Sequence, residues 1–146
     1  MNIFFLDKDP VLAAQYLVDK HVVKMITESR QMLDVAHNLA TGYKNHPCTI
    51  WARTNTANYK WLLEHALAIG AEYIYRYDRI HKSELYIREH HMNIPDLPFA
   101  ESISFPALAM PEQYHSKDYV ESYRNYYRFE KLHLFKWKKR ERPLWI

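Results

Sequence analysis

Glycine is scarce in this sequence, since Gly42 and Gly70 are the only two among 146 residues. Hairpin turns, dinucleotide-binding fingerprints and phosphate-binding loops all need glycine where the backbone is left-handed or approaches a ligand closely. The shortage therefore argues against a sheet-rich fold and against a nucleotide-binding loop. The chain is still long enough to bury a core, and its 48% hydrophobic and 25% charged residues are typical of a globular protein.

Cysteine is almost absent as well. Cys48 is alone, so an internal disulfide is excluded. The first residues, MNIFFLDKDP, lack the basic segment of a secretory signal peptide. No apolar run approaches the roughly 20 residues that a membrane span requires. These features predict a cytoplasmic protein that does not bind membranes.

The residues that are present favour helices. Asp9-Pro10 is a helix-start signal, and apolar residues then recur at helical spacing to about Ala40, where Thr41-Gly42 is a stop signal. We expect a loop over residues 43–53, a second helix from Thr54 or Asn55 to Tyr77, and a short helix from Lys82 to about His90. Four prolines predict an irregular crossing over residues 92–111, and a last helix is expected from about Ser116 to Leu132.

The predicted architecture is therefore all-α, a single domain spanning residues 1–146. It combines three main helices and a short one with an N-terminal arm (Asn2 to Leu6), a proline-rich wrapping loop and a basic, aromatic C-terminal tail.

One polar stripe runs along the first predicted helix. His21, Lys24, Glu28 and Gln31 fall within roughly 80° of arc at 100° per residue. Polar groups beside a buried face are costly unless they are paired or used. A glutamate there can act as a base and a nearby lysine or histidine as acid or nucleophile, so the stripe is a candidate active site. Surface pairing of Lys24 with Glu28 is the alternative.

A second polar stripe lies on the next long helix and consists of Asn58, His65, Glu72 and Arg76. If the two helices pack antiparallel, the stripes face each other across one crevice. His21, Glu28, His65 and Glu72 would then suit a metal, but their spacing lacks the Glu-x-x-His or His-x-x-x-His pattern of helical metal sites. We therefore expect hydrogen bonds between the helices and no metal.

The C-terminal region concentrates positive charge. Residues 117–146 contain nine Lys and Arg against four Asp and Glu, a net charge of +5 within a chain of net charge +3. Basic residues bind phosphates and aromatic side chains stack on exposed bases, so this region predicts a DNA-binding surface. Its candidate residues, with two arginines from earlier in the chain, are Arg30, Arg53, Tyr123, Arg124, Tyr126, Tyr127, Arg128, Trp137, Lys138, Lys139 and Arg140.

Asp19-Lys20-His21, followed seven residues after the histidine by Glu28, resembles the first helix of phage pyrimidine-dimer DNA glycosylases of the endonuclease V type. Similar bacterial and phage proteins share the Asn45-His46-Pro47 and Trp51 pattern. The resemblance implies a small all-helical protein with an N-terminal arm and an aromatic, basic ending that contacts damaged or modified duplex DNA.

The resemblance also implies a mechanism that needs no cofactor. An N-terminal α-amine attacks the sugar C1′, displaces the base and forms a Schiff base, while a glutamate at the position of Glu28 stabilises the cationic sugar. Asn2 is a bulky residue that normally leaves the initiator methionine in place, so the amine would be that of Met1, with Lys24 as the substitute. Thr27 and Gln31 stand where the family has arginines that flank the glutamate.

Two other functions fit the same residues. One is a phage enzyme that processes modified bases or nucleotides in the same crevice without an N-terminal amine. The other is a non-catalytic module that binds nucleic acid or a protein. A phage origin would place the protein in the host cytoplasm.

Overall fold

The computed structural model describes residues 1–146 and contains α-helices, short 3₁₀ turns and no β-strand, which confirms the predicted all-α fold class. The 3₁₀ turns are Glu112–Tyr114 and Leu132–Leu134. The helices are α1 (Pro10–Gln15), α2 (Asp19–Ala36), α3 (Pro47–Ala52), α4 (Thr56–Tyr77), α5 (Lys82–His90) and α6 (Tyr119–Glu130).

The boundaries of α4 follow local signals. The side chain of Asn55 accepts a hydrogen bond from the backbone N–H of Asn58 at 2.9 Å, as an N-cap does. The helix ends at Tyr77, where Asp78 adopts a left-handed φ of 56°. Both the cap and the end were predicted, as was α5.

The first long helix was predicted wrongly as continuous. Asp9 caps α1 as expected, but the helix ends at Gln15 and α2 starts only at Asp19. The reason is Arg76, whose guanidinium donates hydrogen bonds to the backbone carbonyls of Gln15 at 3.0 Å and Leu17 at 2.8 Å. These carbonyls are bound by a buried arginine from α4, so the break is a tertiary effect.

Three other boundaries also differ from prediction. Helix α2 ends at Ala36, before the Thr41-Gly42 stop, and Asn38 then takes a left-handed φ of 57°. The predicted loop over residues 43–53 contains α3, which begins at Pro47. Helix α6 begins at Tyr119 with Asp118 as its cap instead of Ser116.

The core is one contiguous cluster of 27 buried apolar residues drawn from the arm and from every helix. Helices α1 and α2 both pack on α4, and the arm residues Ile3 to Leu6 are buried among them. The proline-rich segment, residues 92–111, wraps this core as predicted. None of the helices combines the length and hydropathy needed to cross a bilayer.

Candidate active site

The N-terminal arm is bent sharply by Asn2. Its side-chain oxygen accepts hydrogen bonds from the backbone N–H groups of Ile3 at 2.7 Å and Phe4 at 3.1 Å, while its amide donates to the carbonyl of Ala109 at 2.8 Å. Phe4 has a left-handed φ of 58°, which is unusual for a bulky residue and is held here by these contacts. The first residue is therefore turned toward α2.

This turn places the chain terminus beside Glu28. The Met1 amino group lies 3.4 Å from Oε1 of Glu28, and the backbone N–H of Asn2 donates to the same oxygen at 2.9 Å. The Met1 side chain is only 2% exposed although the residue as a whole is partly exposed, so its accessible part is the main chain with the amino group. An amine and a carboxylate thus meet at one accessible point.

A cavity of about 520 Å³ opens over this pair. The side chain of Glu28 is 10% exposed and lies with Met1 at the floor of this cavity. The side chain of Lys24 is 69% exposed and lies at the rim of the cavity. Lys24 Nζ is 3.7 Å from Oε2 of Glu28. The lining residues are Met1, Val23, Lys24, Thr27, Glu28, Gln31 and Tyr43. Three residues of the first stripe, Lys24, Glu28 and Gln31, therefore share one cavity with the amine.

Tyr43 lies at the edge of this cavity and was not singled out from the sequence. It is 64% exposed and has a left-handed φ of 59°. Its carbonyl accepts from the N–H of His46 at 3.0 Å, and Arg53 donates to the carbonyl of Lys44 at 2.6 Å. His46 in turn caps α3 by accepting from the N–H of Cys48. Tyr43 is thus exposed on a loop whose backbone is held at residues 43 and 44.

His46 lies close enough to the site for the charges of the Met1 amino group and Glu28 to shift its pKa. Burial lowers the pKa of His46, the Met1 amino group lowers it further, and the Glu28 carboxylate raises it. Because its Nδ1 accepts the capping hydrogen bond, the neutral ring carries its proton on Nε2.

His21 lies outside the cavity, contrary to the role expected from its place in the stripe. It is buried against Phe4, with the two rings 4.5 Å apart and nearly parallel. Its Nδ1 is 2.6 Å from the hydroxyl of Tyr127, which also accepts from the N–H of Val18. Burial, aided by the positive charges of Lys131, Lys24 and His133, lowers the pKa of His21 to about 3. His21 is a neutral acceptor that packs the arm against α2.

The two polar stripes do not share a crevice, so that prediction was wrong. Glu72 and Arg76 form a buried ion pair at 2.7 Å, and Arg76 also pairs with Asp19 at 3.0 Å. Arg140 from the tail also pairs with Glu72, at 2.7 Å. The stripe on α4 joins α1, α2 and the tail and takes no part in the cavity.

The other two residues of the α4 stripe are structural too. Asn58 binds the backbone of Trp51 and of Ser104. His65 Nδ1 donates to the carbonyl of Pro10 at 2.9 Å, and burial lowers the pKa of His65 to about 4. No three His, Cys, Asp or Glu side chains come together as metal ligands. His21, Glu28, His65 and Glu72 therefore do not form the metal site that was weighed from the sequence.

Most of the arginines expected to bind DNA are bound within the protein. Arg124 pairs with Asp7 at 3.0 Å, Arg128 with Glu121 at 2.9 Å and Arg140 with Glu72. Arg53 holds the Tyr43 loop. Arg30 lies 3.8 Å from Asp34 and stacks over the ring of Tyr86 at 3.6 Å. Sequence patterns could not identify the partners of Arg124 and Arg140, because Asp7 and Glu72 are distant in the chain.

Two of the expected aromatic contacts are incompatible with this structure. Tyr123 and Tyr127 are completely buried, so neither can reach a base. Tyr126 and Trp137 are partly exposed, although the indole of Trp137 donates to the carbonyl of Tyr16. Lys138 and Lys139 are exposed, but Lys139 is paired with Asp78 at 3.3 Å.

Several basic side chains in the same region have no carboxylate partner. Lys136, Lys138 and Arg142 are exposed, and Arg142 lies over the rings of Phe135 and Trp137. Lys131 lies over Tyr126 at 5.0 Å and is near enough to His21 to affect its pKa. These cations are not paired with carboxylates and can receive phosphates.

Comparison with known proteins bears on the first part of the chain. Residues 1–85 match the family model described as Pyrimidine dimer DNA glycosylase. The matched region contains Met1, Glu28, Tyr43 and helices α1 to α4, whereas α6 and the basic tail lie outside it. No curated protein and no solved structure matches the chain.

Proposed function

The chain belongs to the pyrimidine dimer DNA glycosylase family, and we propose that it cleaves the bond between base and sugar at a damaged base in duplex DNA through the Met1 amine. The observation that supports this most is the 3.4 Å separation of that amine from Glu28 at the floor of an open cavity. An enzyme of this kind needs a nucleophile and a carboxylate within reach of one sugar carbon, and this cavity holds both.

The first step is displacement of the base. The lone pair of the neutral amine forms a bond to C1′, and the bond from C1′ to the base breaks with its electron pair leaving on the base nitrogen. The base takes up the proton that the new C1′–nitrogen group gives up, and Glu28 is placed to pass it. The carboxylate also stabilises the positive charge that develops on the sugar.

The second step gives the Schiff base. The C1′–O4′ bond breaks, O4′ takes up a proton, and C1′ becomes doubly bonded to the amine nitrogen. Loss of a proton from C2′ then allows elimination of the 3′ phosphate, which is the abasic-site lyase reaction. Glu28 is the carboxylate available to accept that proton.

His21 and Asn2 act as positioning residues in this proposal. Asn2 bends the arm through three hydrogen bonds, and His21 packs on the ring of Phe4. Neither lines the cavity. They hold the amine where only a short movement is needed to reach C1′, and misplacement by about 1 Å can cost roughly a hundredfold in rate.

Borohydride trapping tests the proposal. The protein is incubated with duplex DNA that contains one abasic site or one thymine dimer, and borohydride reduces any Schiff base to a stable adduct. We expect an adduct with the unaltered protein and its loss with Glu28→Gln, which keeps the shape of the side chain but removes the charge. No adduct on the duplex with the thymine dimer contradicts the proposed cleavage of the base, and no adduct on either DNA contradicts the use of the amine.

A second candidate function is supported by the lining of the cavity. Thr27 and Gln31 are neutral, so this site lacks the arginines that flank the glutamate in the family, which favours a modified base or nucleotide as substrate. An enzyme of that kind does not need the amine. Blocking the amine with an added N-terminal residue would leave its activity intact, whereas the same block abolishes the Schiff-base reaction. A non-catalytic module would bind DNA equally well with Glu28→Gln.

A further inference from the structure

The two carboxylate oxygens of Glu28 have different neighbours. Oε1 accepts a hydrogen bond from the backbone N–H of Asn2 at 2.9 Å and faces the Met1 amino group at 3.4 Å, so both of its neighbours lie at the chain terminus. Oε2 has one neighbour, the Lys24 ammonium at 3.7 Å, and the side chain of Lys24 is 69% exposed. Oε2 is therefore the oxygen that becomes free when the Lys24 side chain moves away.

The contact between Lys24 and Glu28 is easily exchanged for another. It joins residues one turn apart on α2, and its 3.7 Å separation is longer than a charge-assisted hydrogen bond. Exposed pairs of this kind contribute little to stability. The lysine side chain is also long and flexible, so its ammonium can turn to another anion without any change in the helix.

Lys24 is the only residue with a cationic side chain among those that line the cavity over Met1 and Glu28. Thr27 and Gln31, which line the same cavity, are neutral. A DNA strand that brings a sugar to the Met1 amine also brings the phosphates on either side of that sugar. The phosphate on the 3′ side is joined to C3′, which is separated from C1′ by C2′ alone. Lys24 is thus the side chain that can meet this phosphate with a positive charge.

We propose that Lys24 is a further catalytic residue, whose ammonium binds the phosphate on the 3′ side of the attacked sugar and stabilises this phosphate as it leaves. The inference rests on the proposed function, because the phosphate leaves only after the Schiff base with the Met1 amine has formed. Transfer of Lys24 from Oε2 of Glu28 to the phosphate also uncovers the oxygen that accepts the proton from C2′.

The charge of the phosphate changes in this step. The C2′–H bond breaks, its proton passes to Oε2 of Glu28, and its electron pair forms the double bond between C2′ and C3′. The C3′–O3′ bond breaks with its electron pair remaining on the oxygen. The phosphate thereby changes from a diester with one negative charge to a monoester with two. A cation already in contact with the phosphate stabilises the added charge.

The test uses a duplex with a preformed abasic site, labelled at the 3′ end of the damaged strand, and protein in excess over the DNA. Borohydride added at successive times traps the Schiff base, and label in the adduct marks a strand that is not yet cleaved. We expect Lys24→Gln to lengthen the lifetime of the labelled adduct roughly tenfold. The rate at which the adduct first forms, followed with a label at the 5′ end, should change less than about twofold.

Two further variants and a binding measurement separate the charge of Lys24 from a general disturbance of the helix. Lys24→Arg keeps the charge and is expected to release the labelled strand at the rate of the unaltered protein. Lys20→Gln removes an exposed lysine one turn earlier on α2 and is the matched control. On a duplex with a tetrahydrofuran abasic analogue, which forms no Schiff base, Lys24→Gln should lower the slope of log affinity against log salt by about 0.9.

Equal effects of Lys24→Gln and Lys20→Gln, slow release that Lys24→Arg does not restore, or an unchanged salt slope overturns the inference while leaving the proposed function standing. An unaltered protein that forms the adduct and never releases the labelled strand also overturns it, since no phosphate then leaves. Absence of any adduct contradicts the use of the Met1 amine itself, so the two failures are distinguishable.

Discussion

The backbone N–H of Asn2 donates to Oε1 of Glu28 across 2.9 Å, and this contact joins the N-terminal arm to the middle of α2. The same oxygen faces the Met1 amine. The arm therefore does more than pack against the core. Its first turn fixes the position of the chain terminus relative to the one carboxylate in the cavity.

Replacing Asn2 should misplace the amine. Asn2→Leu is similar in shape and is still too large to favour removal of Met1, but it cannot make the three side-chain hydrogen bonds of Asn2. We expect the trapping rate on abasic DNA to fall by about 10- to 100-fold. The affinity for duplex DNA, measured by fluorescence anisotropy, should change less than twofold. A parallel loss of affinity and rate would instead indicate a general disturbance of the fold.

Removing Arg76 should be among the most destabilising substitutions in the protein. Arg76→Leu leaves Glu72 and Asp19 without their buried partner and frees the carbonyls of Gln15 and Leu17. Breaking a buried pair in this way costs about 3–5 kcal/mol in the free energy of unfolding. Urea unfolding measures it, with the exposed Arg79→Leu as a control expected within about 0.5 kcal/mol. A similar small effect for both variants contradicts this structural role.

The free energy of unfolding should decrease as the pH falls, over a pH range set by two buried histidines. Burial is the main cause that lowers the pKa of His21 to about 3 and of His65 to about 4. In the unfolded chain each titrates near 6.5, so below that pH the unfolded state binds more protons than the folded one. Their contribution is complete above pH 6.5 and is lost as the pH falls toward 4 for His65 and toward 3 for His21.

Urea unfolding at pH 7.5 and pH 5 checks this expectation. Each histidine should lower the free energy of unfolding by about 2 kcal/mol at pH 5, where carboxylates still contribute little. A free energy of unfolding that is constant over this range would show that these two side chains are accessible to protons in the folded state.

The salt dependence of DNA binding should depend on the free cations of the tail. Lys136 and Lys138 are exposed and have no carboxylate partner. If each binds a phosphate, Lys136→Ala with Lys138→Ala lowers the slope of log affinity against log salt by about 1.8. The exposed Lys60, which borders a different cavity on α4, is the control and should leave the slope unchanged. An unchanged slope in the double variant places the DNA elsewhere.

Local signals in the sequence were sufficient to predict much of the fold. Helix α4 was predicted with a cap at Thr54 or Asn55, because capping and helix propensity act over a few residues. The break between α1 and α2 was not predicted, because it is caused by Arg76, which lies about sixty residues away in the chain. The same limit applies to Arg124 and Arg140, whose carboxylate partners Asp7 and Glu72 only the fold identifies.

The candidate site was predicted in part. Glu28 stood out because a polar residue beside an apolar helix face needs an explanation, and its spacing from His21 matched a known family. The positions of Asn2 and Tyr43 beside this site could not be predicted, since one depends on a turn held by Ala109 and the other on a loop held by Arg53. His21 contacts Tyr127 from α6, and no pattern within α2 reveals that contact.

The identity of the trapped nitrogen decides whether the Met1 amine is the nucleophile. After borohydride trapping on abasic DNA, digestion with nuclease and protease and mass spectrometry locate the sugar remnant on the protein. We predict the remnant on the N-terminal peptide at the Met1 amine, unchanged in amount for Lys24→Gln and absent when a residue is added before Met1. A remnant on Lys24, lost in Lys24→Gln and kept in the extended protein, would contradict the account.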